Sequence, residues 1–127
     1  PDSYVWMDKF TMKNLELFNS NSSNGFNLSE TIDDSITSMG SRKLKNWIAF
    51  PLVEKKEIKK RQDIVYSIIE DNEISGILDL NLNNISDIER LMSKIATYKI
   101  SPRELIYLKN SLKKFQDVKI KNGYIIF

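Results

Sequence analysis

The chain has 127 residues, 41% hydrophobic and 28% charged, enough for one globular domain that buries roughly two-thirds of its unfolded surface. Having neither cysteine nor histidine, it offers no disulfide scaffold, thiol nucleophile or cysteine-ligated metal, and it lacks the commonest general base. Its 19 basic and 17 acidic residues leave a net charge of only +2, so the total does not mark a nucleic-acid binder.

In chain order, Ser3 to Met7 is aromatic and β-branched enough to predict a short strand. Asp8 then offers an N-cap for a helix through Thr11, Asn14, Leu15 and Phe18. The Ser/Asn-rich run 19–25 ends in Gly25 and reads as a loop. Asn27 with Glu30 resembles a capping box and predicts a short helix through Ile32 and Ile36. Another helix is expected from Thr37 or Ser38, carrying Leu44, Trp47 and Ile48, and stopping at Phe50 because Pro51 disfavours helical geometry before it. From Lys55 to Asp71 the stripe Ile58, Val65, Ile68 and Ile69 marks an amphipathic surface helix.

Two capping boxes follow, Ser86-Asp87-Ile88-Glu89 and Ser101-Pro102-Arg103-Glu104, the second with proline at the first helical position. Behind them lie the stripes Ile88, Met92, Ile95 and Leu105, Leu108, Leu112, Phe115. The short link at Tyr98-Lys99-Ile100 predicts an antiparallel helical hairpin, and Lys121 to Phe127 reads as a turn followed by a strand-like end. The expected fold is mainly all-α, an orthogonal multi-helix bundle with short terminal strands.

Little in this pattern points to chemistry. Gly25, Gly40, Gly76 and Gly123 are never spaced as a phosphate-cradling loop. The acid pairs Asp33-Asp34, Glu70-Asp71 and Asp87/Glu89 sit at predicted helix ends, where capping and solvation explain them, so no acid–base pair is assigned. Basic residues crowd Lys55 to Arg61, but no aromatic interleaves to stack on bases. Trp47 lies on an apolar stripe and reads as core. Trp6 fits core filling or a partner contact equally. Arg42 and Arg90 stand near helix starts, against the helix dipole, which suggests pairing with a carboxylate; Arg42, Asp87 and Arg90 are the candidates for structural or interdomain ion pairs. No catalytic, cofactor-binding or metal residue is expected within the chain.

No apolar run reaches the ~18–20 residues of a membrane-spanning helix, and no secretory signal opens the chain, which predicts a cytoplasmic protein without membrane partners. The chain starts at Pro1, with the first methionine, Met7, inside a predicted element. A piece cut from something longer is the expectation.

Several segments together resemble a known family. Asp8, Thr11 and Asn14-Leu15-Glu16-Leu17 come first, then Asp34 to Arg42 with Met39 and Gly40, then Leu44, Trp47 and Pro51-Leu52. Arg61-Gln62, Asp87 to Leu91 and Ser101 to Leu105 continue the order. The pattern is similar to the core or lever domain, domain III, of bacterial MutS mismatch repair proteins, over residues 4 to 115 and with residues 1–127 as a single domain, the N-terminal part of that lever. The resemblance implies a non-catalytic element linking mismatch-binding and clamp regions to an ATPase. ATP and magnesium would belong to the full-length protein, as would DNA, a second MutS copy and MutL as partners beside the other domains of the same chain. No Phe-x-Glu mismatch-reading motif begins at any of the 6 phenylalanines. A freestanding helical adaptor and a nonspecific DNA-backbone-binding module are the rival readings.

Overall fold

The computed structural model describes residues 3–122, with side chains as far as Gln116. Its secondary structure is helical throughout, in the order α1 (Lys9–Asn14), α2 (Leu28–Ile32), α3 (Ser38–Ala49), α4 (Lys55–Glu70), α5 (Asn72–Leu82), α6 (Ile88–Ala96) and α7 (Pro102–Asn122). The all-α expectation holds. No helix among the described residues is long and apolar enough to cross a membrane.

Two compact units emerge, Pro1–Ser35 with Gly40–Asp63, and Ile36–Met39 with Ile64–Phe127. The chain passes between them at Met39–Gly40, inside α3, and at Asp63–Ile64, inside α4. The Asp63–Ile64 crossing lies in the interior of α4, where the backbone is internally hydrogen-bonded; the Met39–Gly40 crossing falls in the first turn of α3, and a third, Ser35–Ile36, lies in a connecting segment.

In the first unit, the strand expected at Ser3 to Met7 reduces to a single antiparallel bridge between Tyr4 and Leu52. Val5 N–H donates to Pro51 O at 2.8 Å and Val53 N–H to Ser3 O at 3.1 Å. The ladder goes no further because its partner segment, between the end of α3 and the start of α4, is short and carries a proline without an N–H. Asp8 caps α1 as expected, accepting from Thr11 N–H at 2.7 Å. α1 nevertheless ends at Asn14 rather than near Phe18. Glu16 turns left-handed (φ 49°), its N–H bonds to Lys13 O, and Leu17 N–H returns to Met12 O, which is a Schellman ending on a non-glycine residue. Leu17, just past the turn, is the buried apolar residue of this unit. α2 begins at the predicted Asn27 cap but stops at Ile32 instead of Ile36, because the Asp33 carboxylate accepts from Ser35 N–H and leads the backbone out of the helix.

In the second unit, α5 is an element that hydrophobic spacing did not reveal. Its apolar residues Ile74, Ile77, Leu78, Leu80 and Leu82 spread around the helix, and Asn81, Asn83 and Asn84 are poor helix formers. Those asparagines fold their carboxamides back on the carbonyls of Ile77, Asp79 and Leu80, at 2.7–2.9 Å. Asp71, expected to end the preceding helix, instead caps α5, accepting from Glu73 and Ile74 N–H, both at 3.0 Å. α5 and α6 both pack on α7. Leu91 of α6 and Leu108 of α7 are the buried apolar residues there, beside the fully buried Ser111. The Ser111 hydroxyl accepts from Ser86 N–H and donates to Tyr107 O, each at 2.9 Å, and so satisfies the segment entering α6. α7 continues through Lys121 and Asn122, where a turn was expected; the strand-like reading of Gly123 to Phe127 lies outside the described residues.

Candidate functional site

Three polar arrangements fix helix ends and helix faces. The first joins α3 and α4 within the first unit. The guanidinium carbon of Arg61 stands 3.9 Å from the centre of the Trp47 ring, a cation–π stack. Trp47 remains 38% exposed, so the residue expected in the core is instead half-covered by a cation. Tyr4, Lys43, Asn46 and Phe50 complete a groove of about 290 Å³ around the pair. Elsewhere on the exposed face of α4 the basic run neutralises itself locally: Lys59 pairs with Asp63 at 3.0 Å and Lys60 with Glu57 at 2.5 Å. The hydrogen bond from Lys60 holds the Glu57 carboxyl below its ordinary value and raises the Lys60 ammonium above its own.

The second arrangement centres on Asp87, in the second unit. Sequence places the N-cap of α6 at Ser86, whereas the structure gives it to Asp87, whose Oδ1 accepts from Arg90 N–H at 3.0 Å. Its Oδ2 accepts from the Ser38 hydroxyl at 3.0 Å, which ties the first turn of α3 to the start of α6. Of the ion-pair candidates, Asp87 is therefore a junction residue, Arg90 meets it through the backbone amide, and Arg42 lies in the second turn of α3. Nothing in the sequence marks Ser38 as a partner of Asp87. A hydroxyl that bonds across 49 residues leaves no local pattern to read.

The third arrangement closes the α6–α7 hairpin. The Ser101 capping box is fully reciprocated, with Ser101 N–H donating to Glu104 Oε2 at 2.8 Å and Glu104 N–H to Ser101 Oγ at 3.3 Å. The Lys94 ammonium of α6 donates to the other carboxylate oxygen. The Lys94 hydrogen bond, followed by those from Ser101, lowers the Glu104 carboxyl to about 2. In the first unit Asp33 is likewise held below its ordinary value, chiefly by the hydroxyl of Ser41 and then by Ser35. Among the described residues no group of three or more His, Cys, Asp or Glu could hold a metal ion.

The signature positions thus occupy structural stations. Asp8, Thr11, Asn14 and Leu15 cap, build and end α1; Met39, Gly40 and Arg42 open α3; Trp47 and Arg61 stack; and Pro51 O accepts from Val5 N–H. The family model described as MutS domain III matches residues 10–124. The chain belongs to the MutS domain III family. It is similar to the DNA mismatch repair protein MutS of Christiangramia forsetii, 48% identical over 118 residues, which is 93% of this chain and 14% of that protein. The corresponding figures are 47% over 87% of this chain for the MutS protein of Flavobacterium johnsoniae and 42% over 93% for that of Parabacteroides distasonis. The chain therefore spans about one-seventh of the length of these MutS relatives.

Proposed function

We infer that this chain is the non-catalytic core, or lever, part of a mismatch repair ATPase, carrying movement between DNA-holding regions and the ATPase. The observation that carries this reading is that α4 runs unbroken through the crossing between the compact units at Asp63–Ile64. A helix interior resists bending far more than a loop does, so displacement at one unit is passed on rather than absorbed. The tie from Ser38 to Asp87 fixes the first turn of α3 to the start of α6. Mismatched DNA, ATP with magnesium, a second MutS copy and MutL belong, in this reading, to the full-length protein. The rival DNA-backbone module is less favoured, because Lys59 and Lys60 of the basic run are matched by carboxylates on their own helix.

Ser38→Ala in the full-length protein tests the reading, since it removes one exposed hydroxyl and its bond to Asp87. A hydrogen bond to a carboxylate contributes on the order of 1.5 kcal/mol, so the ATP-dependent release rate from mismatched DNA should change roughly tenfold, with mismatch affinity in the absence of ATP retained. An unchanged release rate contradicts the role assigned to the tie.

A further inference from the structure

We propose that the groove over the Trp47–Arg61 pair is a binding site for a carboxylate carried on an extended acidic peptide segment. The guanidinium carbon of Arg61 lies over the Trp47 ring, and a guanidinium has five N–H donors in its own plane with which to meet an acceptor. Among the described residues no acceptor meets Arg61, and the nearby Glu57 is already held by Lys60 at 2.5 Å. Lys43 supplies a second cation to the lining and Asn46 a neutral polar group; no acid lines the groove. An arginine held over an aromatic ring, with no acceptor of its own among the described residues and a lysine beside it, is suited to bidentate capture of a carboxylate, and Tyr4, Trp47 and Phe50 would cover the apolar part of the side chain bearing it.

The backbone beside the groove indicates the form of the ligand. Tyr4 faces Leu52 in a bridge whose two hydrogen bonds use the flanking residues Ser3, Val5, Pro51 and Val53. In an antiparallel pair of this type the bridged residue turns its own N–H and C=O to the opposite edge. Those groups of Tyr4 are unbonded among the described residues, and Tyr4 itself lines the groove. An extended peptide can therefore add along this edge while one of its acidic side chains enters the slot. Duplex DNA fits less well. A groove of about 290 Å³ takes a side chain rather than a rod, and Lys59 and Lys60 on α4 are paired with carboxylates of their own helix.

The site is independent of the transmission role, and its test uses the full chain without ATP or mismatched DNA. An acetylated, amidated peptide of alternating Glu and Val is titrated into the ¹⁵N-labelled chain, and the Trp47 indole N–H and Tyr4 amide N–H resonances are followed. Inorganic phosphate, a short DNA duplex and the same peptide with Gln for Glu serve as comparisons. Saturable shifts at both resonances are expected with the Glu peptide, with affinity about tenfold weaker for the Gln peptide and for Arg61→Lys. Lys43→Ala, an exposed change that leaves the stack in place, should weaken binding about threefold with the remaining spectrum unaltered. Absence of saturable shifts, equal binding of the Gln peptide, indifference to both substitutions, or tighter binding of phosphate or DNA would each overturn the proposal.

Discussion

Glu104 at the start of α7 is held from two sides, by the ammonium of Lys94 on α6 and by the backbone N–H of Ser101 at 2.8 Å. One carboxylate therefore completes a helix cap and clasps a hairpin. Its ordinary value of 4.5 falls to about 2, with the Lys94 hydrogen bond as the largest cause. Because the folded value lies below the unfolded one, this stabilisation is fully present above about pH 4.5 and is lost as pH falls through about 2. Glu104→Gln should lower the urea midpoint at pH 7, and the gap from the parent chain should close as pH drops from 4.5 towards 2. A gap independent of pH would show that the charge plays no part.

α6 ends as α1 does, with Tyr98 N–H bonded to Ile95 O at 3.0 Å and Lys99 N–H returning to Lys94 O at 2.8 Å, and both endings use residues that tolerate the left-handed region poorly. Tyr98 (φ 55°) follows α6 with a side chain 97% exposed, so little packing is lost on its removal. Tyr98→Gly should stabilise the chain by about 0.5–1 kcal/mol, the left-handed penalty less the entropy of a freer unfolded chain. At Glu16 the same change should give close to no gain, because its carboxylate accepts from Asn21 N–H at 2.8 Å and that bond is lost. Thermal unfolding of the two variants decides the point; a larger gain at position 16 would contradict it.

Two buried serines should respond in opposite ways. Ser111→Ala strands the Ser86 N–H and should cost about 1–3 kcal/mol. The Ser29 hydroxyl is buried without a partner among the described residues, so Ser29→Ala should be neutral or slightly stabilising. Urea unfolding of both variants provides the check, and a loss at Ser29 equal to that at Ser111 would refute the assignment.

Helix starts were legible because their determinant is local: Asp8, Asn27 and Ser101 each cap a backbone N–H three residues away. Helix ends were less so. α1 stops where a glutamate adopts a conformation usually given to glycine, and α2 stops where Asp33 bonds its own following backbone. α5 escaped notice because its apolar residues form no single stripe. Of the candidate site, the residue types were readable and the partnerships were not. Trp47 reads as core in the sequence, whereas Arg61 covers it in the structure, and the bond from Ser38 to Asp87 joins segments 49 residues apart. Contacts between distant segments depend on packing that no local spacing encodes.

The central claim, that continuous helix carries movement through this domain, is tested most directly in α4. Two glycines inserted between Asp63 and Ile64 of the full-length protein would break the helix at its crossing between the units. The measurement is the rate of ATP-dependent release from mismatched DNA, taken beside ATP hydrolysis and mismatch affinity. The account predicts that hydrolysis and affinity persist while ATP no longer changes the release rate. Release that still responds to ATP as in the uninterrupted protein would contradict it.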